Sequence, residues 1–183
     1  MPVLSDNDKQ ARWFVMRDLK RANAKQPAYK LFEEKGKRFF TPMTWRIGME
    51  GGRRVRRQVP FVPDLLFVCD SREHLDTVVL KTPTLQYRWL RNTWREPMTV
   101  SDAEMNRFIK AVSASDSHKY YLPEEITPAM YGRKIRIVGG PLDGYEGSLI
   151  TRRGSKVRRL LIEIPNLIAV GIEVKPEFIQ LVE

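Results

Sequence analysis

Arg53, Arg54, Arg56 and Arg57 place four guanidinium groups within five residues, spaced around Val55. Cations this close repel one another unless water or phosphate screens them. Two kinds of chemistry fit. One is contact with phosphate, which is salt-dependent and blind to base sequence. The other is a solvated basic tip with no partner. A second basic run interleaves with rings: Arg88, Arg91 and Arg95 alternate with Tyr87, Trp89 and Trp94. Such a mixture can stack nucleic-acid bases. The simpler reading buries the rings, or turns them to a protein partner, and leaves the arginines in water.

The remaining reactive side chains assemble into no known chemistry. His74 and His118 are isolated, and Cys69 is the only cysteine, so no metal set has plausible spacing and no intrachain disulfide forms. Gly51-Gly52 lacks the Lys-Ser/Thr that would complete a phosphate-binding loop. Carboxylates are scattered. The chain is therefore expected not to be an enzyme and to need no cofactor. No apolar run approaches the roughly 20 residues that span a bilayer, and Met1 to Asp8 has no basic-then-apolar pattern of a signal peptide. A lone cysteine suits a reducing, cytoplasmic location.

The net charge of +10 is uneven. Residues 1–115 hold 22 Lys/Arg against 13 Asp/Glu, a net +9, whereas residues 116–183 hold 10 against 9, a net +1. The first part is expected to face a polyanion or an acidic protein surface.

These residues need elements to carry them. Trp13 to Arg17 reads as a buried first strand. Ala22 to Lys35 reads as a helix, with Pro27 either in its first turn or at a kink. Arg38 to Ile47, interrupted by Pro42, reads as an edge strand. Gly48 to Gly52 makes a hairpin tip, and Arg53 to Val59 returns from it. Val62 to Cys69 is the strongest strand of the first half. Ser71 can cap a helix to about Lys81, Leu85 to Arg91 is a further strand, and Ser101 with Glu104 has capping-box spacing for a helix ending near Val112. Residues 114–127 have the composition of a linker, interrupted by Tyr120, Tyr121 and Leu122. After Pro128 the pattern is period-2: Ile135 and Ile137, then Leu160, Ile162 and Ile164, then Ile168, Val170, Ile172 and Val174, which reads as a small β-barrel. Between its first two strands lies Gly139-Gly140-Pro141-Leu142-Asp143-Gly144-Tyr145-Glu146-Gly147, a backbone that must turn tightly.

That loop, after Arg136-Ile137-Val138, resembles the opening of a KOW motif, with Gly139, Gly140, Pro141, Gly144, Tyr145 and Gly147 as its signature. The whole order of elements resembles the NusG family of transcription elongation factors. Trp13-Phe14-Val15, Val62-Pro63-Asp64-Leu65-Leu66-Phe67-Val68, Thr82-Pro83-Thr84-Leu85 and Glu96-Pro97-Met98-Thr99-Val100-Ser101-Asp102-Ala103-Glu104-Met105 match family landmarks in sequence order. The resemblance covers about residues 11–182. Asp64-Leu65 where Gly-Tyr is usual, Thr84 in place of glycine and the arginine-rich hairpin are similar to operon-specific paralogues of the RfaH and UpxY type.

The resemblance implies an α+β N-terminal NGN domain over residues 1–113, with a mainly antiparallel sheet and flanking helices. A linker over 114–127 and an all-β SH3-like KOW barrel over 128–183 would follow. It implies a monomeric transcription elongation or antitermination factor that binds RNA polymerase. Leu65 and Phe67 match the family's polymerase face, joined by Tyr87 and Trp89 from the neighbouring strand. A slip of one residue would put Arg88 there instead, and ordinary core is the competing reading. The hairpin arginines would lie near upstream DNA. Lys20, Arg21, Lys25 and Lys30 fall in the region that reads the non-template strand in the specialised branch. Leu167 and Ile168 fall in the partner-binding loop, which recruits a ribosomal protein or, in the housekeeping case, the termination factor Rho; barrel core competes there too. A ribosome- or RNA-binding KOW protein without polymerase contact is the alternative. Glycine and proline spread through residues 130–182 favour strands over the helical hairpin that RfaH can adopt.

Overall fold

A computed structural model of the chain describes residues 9–20, 26–151 and 154–182. They fall into two compact units that divide after Asp102.

The first unit is organised around β1 (Arg12–Asp18), whose side chains are apolar on both faces. Trp13, Phe14, Val15 and Met16 are each at most 1% exposed. Burying a side chain of this size stabilises by about 1.5–3 kcal/mol, so both faces of this one strand contribute to the core. At its end the buried carboxylate of Asp18 accepts hydrogen bonds from the backbone N–H of Lys20 (3.0 Å) and of Ala28 (2.6 Å). Ala28 opens α1 (Ala28–Glu34), with Pro27 directly before it. The first N–H groups of a helix lack intrahelical partners, and Asp18 satisfies one of them from 10 residues away. Of the helix expected over residues 22–35, positions 22–25 lie outside the described residues.

The expected edge strand from Arg38 to Ile47 is two strands in two sheets. β2 (Arg38–Phe40) pairs with β5 (Leu65–Asp70), while β3 (Met43–Glu50) and β4 (Arg53–Pro60) form a separate two-stranded ribbon. The break falls at Thr41-Pro42, where proline has no N–H to continue a ladder. The Thr41 hydroxyl donates instead to the Leu65 carbonyl (2.7 Å), and the Pro42 carbonyl accepts from Phe61 N–H (2.7 Å).

After β5, α2 (Arg72–Lys81) starts at Ser71, whose hydroxyl accepts from His74 N–H (3.3 Å). Then β6 (Leu85–Tyr87) and β7 (Thr99–Val100) share the second edge of β1. All these pairings are antiparallel. Register assigns the faces. Phe14, Met16, Leu66, Val68, Leu85 and Tyr87 look one way and pack with Ala28 and Phe32 of α1 and Leu75 of α2. Trp13, Val15, Leu65 and Phe67 look the other way and are buried as well.

In the second unit α3 (Asp102–Ser113) buries Met105, Phe108 and Ala111 along one stripe. It precedes β8 (His118–Tyr121), β9 (Tyr131–Ile137), β10 (Glu146–Thr151), β11 (Arg158–Ile164), β12 (Ile168–Glu173) and β13 (Ile179–Leu181). These make one antiparallel sheet in the order β13-β9-β10-β11-β12-β8. The expected period-2 groups fall into register: Leu160 opposes Ile172, Ile162 opposes Val170, and Ile164 opposes Ile168.

Residues 114–127 differ from the expected linker. Tyr120 and Tyr121 sit in β8, paired with Val170 and Ala169, and the Phe108 and Tyr120 rings stack at 6.4 Å. Ile126 and Met130 then pack on the outer cluster of Tyr121, Ile150, Leu161 and Ala169. The segment is polar in composition, but its few large side chains find apolar partners on the sheet.

Candidate nucleic-acid interface

The β3–β4 ribbon is in register from the Met43–Pro60 pair to the Glu50–Arg53 pair, with Gly51 and Gly52 turning the tip at positive φ of 54° and 78°. Directly opposed residues point to the same face. The four arginines expected to act together are therefore divided. Arg54 and Arg56 oppose Met49 and Ile47, whereas Arg53 and Arg57 oppose Glu50 and Arg46. All four are exposed. Among the described residues none of them, nor Arg46, forms an ion pair with a carboxylate.

Sequence reasoning attended to the arginines and missed what faces them. Trp45, Ile47 and Met49 share the Arg54–Arg56 face and are 53%, 74% and 65% exposed. The Arg56 guanidinium stands 4.5 Å from the Trp45 ring centroid. The signal was present as period-2 alternation across a glycine tip, Trp45, Ile47, Met49 and then Arg54, Arg56.

Of the region around α1, Lys20 donates from Nζ to the Gln26 carbonyl (2.6 Å), and Lys30 is exposed on α1. Arg21 and Lys25 lie outside the described residues.

The four residues expected on one protein-binding face are not brought together. Leu65 and Phe67 lie with Val15, and the Phe40 ring tilts against Phe67 at 6.3 Å. Tyr87 opposes Met16, so it belongs to the helix-packed side, and Trp89 follows it there with ring centroids 5.4 Å apart. The register is one residue from that expectation. Arg88 N–H donates to the Val15 carbonyl (2.8 Å), which puts Arg88 on the Leu65 and Phe67 side. There Arg88 (3.5 Å) and Arg17 (3.1 Å) both pair with Asp64. Leu65, Phe67 and Tyr87 are buried; Trp89 is 45% exposed. Burial and a hydrogen bond donated to Asp76 (2.8 Å) push the Tyr87 phenol well above its ordinary range.

Between β6 and β7 the chain forms a loop closed by a Trp89–Pro97 bridge and by Leu90 N–H to the Glu96 carbonyl (2.9 Å). Trp94 is 87% exposed at its tip, with the Arg95 guanidinium 5.4 Å from its ring centroid. The rings of the second basic run thus divide into one buried, one half-exposed and one solvated.

The glycine-rich loop joins β9 to β10. Gly144 has φ of 77° and donates its N–H to the Ile137 carbonyl (2.8 Å), while the Asp143 carboxylate accepts from Gly139 N–H (2.6 Å). Gly147 serves a different need: a Cβ there would stand 2.6 Å from the Leu161 carbonyl oxygen. Leu167 and Ile168, expected at a partner-binding loop, are 8% and 1% exposed.

Burial pushes the Cys69 thiol up, against the opposing effect of Arg38. Among the described residues no group of three or more His, Cys, Asp or Glu could hold a metal ion, and no helix is long and apolar enough to cross a membrane.

No curated protein matches the sequence. Among solved structures, one addressing domain interaction in Thermotoga maritima NusG is similar at 12% identity and a TM-score of 0.44, over 96% of this chain and 99% of that one. The family model for NusG, described as transcription termination factor nusG, matches residues 11–109. That match takes in the first unit's sheet, both its helices and the arginine ribbon, more than half of the 183 residues, and the chain belongs to the NusG family.

Proposed function

We propose that this chain is a transcription elongation or antitermination factor of the operon-specific RfaH and UpxY type. In this reading the N-terminal region binds RNA polymerase and suppresses pausing or termination. The C-terminal β domain, an SH3-like KOW barrel, recruits a further protein, such as a ribosomal protein; recruitment of Rho would instead mark the housekeeping branch. The factor acts in the cytoplasm as a monomer. Family membership across the first unit is the observation that carries the reading.

A ligand shifts an equilibrium only by binding one conformation better than another. A factor that prefers the closed, transcribing polymerase therefore disfavours paused states. Trp89 offers exposed surface for that contact. Leu65 and Phe67 are 2% and 0% exposed, so contact through them demands that their face first be uncovered. The basic ribbon would add salt-dependent contact with upstream or non-template DNA.

The test is to mix the full chain with purified bacterial RNA polymerase and, separately, with ribosomes, and to follow co-migration and pause lifetimes. Binding to polymerase with shortened pauses is expected. Ribosome binding without polymerase binding would select the alternative, a ribosome- or RNA-binding KOW protein.

A further inference from the structure

We propose that the Trp45–Ile47–Met49 face of the ribbon is a stacking platform for single-stranded nucleic acid, with Arg54 and Arg56 neutralising its phosphates. The inference rests on the nucleic-acid reading of the ribbon and assigns its two faces different work.

Three observations carry it. First, three large apolar side chains are more than half exposed in a row, on a strand that pairs only with β4 in its sheet. Second, the row is flanked on its own face by Arg54, Arg56 and Gln58, three hydrogen-bond donors with no acid among them. Residues 43–60 hold five arginines against one carboxylate, Glu50, which opposes Arg53 on the other face. An apolar protein helix would gain little from that charge, whereas a polyanion with flat rings is complementary to both rows. Third, the spacing suits bases. Same-face residues on a strand are about 6.8 Å apart, twice the ~3.4 Å rise of one stacked nucleotide. One ring can therefore enter between successive side chains, with Ile47 and Met49 acting as apolar wedges. Arg56 covers part of Trp45 at 4.5 Å, yet about half of that residue's surface stays open.

Duplex DNA hides its base faces in the stack, and a wedge enters it only at an unstacking cost, so the platform favours unpaired bases. The opposite face presents Arg46, Arg53 and Arg57, with Gly48 so close under Arg57 that a Cβ would stand 3.3 Å from its Nη2. That face has charge and no rings, and it contributes attraction without preference for strand state.

Fluorescence anisotropy of the full chain with a labelled mixed-sequence oligonucleotide, single-stranded and as duplex, tests this. The parent should bind the single strand more tightly than the duplex. Trp45→Leu should weaken single-strand binding at least about fivefold, with duplex binding and salt slope unchanged, and Trp45→Phe should restore most of it. Arg54→Gln with Arg56→Gln should lower the single-strand salt slope by about 0.7 per lost phosphate contact, and should weaken binding more than Arg53→Gln with Arg57→Gln. Four results would overturn the proposal: no single-strand binding by the parent, equal preference for duplex, equal loss from the two arginine pairs with none from Trp45→Leu, or a Trp45→Leu defect confined to polymerase binding. Polymerase binding is measured separately, so failure of the platform and failure of the transcription reading give different results.

Discussion

β5 and β3 carry similar apolar side chains and meet opposite fates. Leu65 and Phe67 are 2% and 0% exposed, whereas Ile47 and Met49 are 74% and 65% exposed. Hydrophobicity of the residues themselves does not explain the difference. Their neighbours do. Leu66 and Val68 fill the alternate positions of β5, so both faces of that strand are apolar, and β5 lies between β1 and β2. In β3 the alternate positions are Arg46 and Gly48, and the partner strand brings four arginines. Enclosing the ribbon would bury unpaired guanidinium groups, which costs far more than the apolar row would return. A strand is buried when both of its faces can be.

The sharpest way to break that comparison is one charge on each strand. Phe67→Glu puts an unpaired carboxylate at a fully buried site and should destabilise by about 4 kcal/mol or more. Ile47→Glu should change stability by no more than about 0.5 kcal/mol. Urea unfolding of both variants checks this. A Phe67→Glu protein with the parent's unfolding midpoint would mean that the Leu65 and Phe67 face is open in solution.

Glycines extend the contrast to backbone contacts. At Gly147 an added methyl meets the Leu161 carbonyl oxygen at 2.6 Å, and backbone cannot move aside cheaply. Gly147→Ala should lose about 2 kcal/mol. At Gly48 the obstacle, at 3.3 Å, is the tip of the Arg57 side chain, which can swing into water. Gly48→Ala should stay within about 0.5 kcal/mol. Equal effects in thermal unfolding would mean that the ribbon is held as rigidly as the second unit's sheet.

What the sequence made legible follows the same physics. β1, β5, the ribbon, the Ser71 cap and strands β9 to β12 of the second unit were readable because their patterns are local. Pro42 was visible, but that it separates two sheets depends on which strand β2 pairs with. The face of Tyr87 was not readable, because a three-residue strand such as β6 has too short a pattern to fix its register against β1. β8 was hidden for a related reason: Tyr120 and Tyr121 become a strand only by pairing with Val170 and Ala169, some fifty residues on. For the candidate site, the basic residues were legible from charge alone. The exposure of Trp45, Ile47 and Met49 was not, since it depends on a layer that never forms over them.

The smallest expected effect is electrostatic and separates the two regions by pH. Asp70 ends β5 with its carboxylate 2.9 Å from Lys37 Nζ, and it accepts from Ser71 N–H (2.8 Å) and from His74 Nδ1 (3.1 Å). Burial alone would raise its pKa, but these donors together hold it below the ordinary 3.8. The folded state therefore binds fewer protons than the unfolded chain in the window below pH 3.8. The stability that Asp70 contributes is full above that value and is lost as pH falls through it toward the folded pKa. Asp70→Asn should thus destabilise by about 1–2 kcal/mol at neutral pH, and the gap from the parent should close in acid. Arg54→Gln on the ribbon breaks no ion pair among the described residues, so its small difference from the parent should be the same at both pH values. Paired urea titrations at neutral and acidic pH read both differences at once. A gap for Asp70→Asn that persists in acid would assign its contribution to neutral hydrogen bonding rather than to the charge on β5.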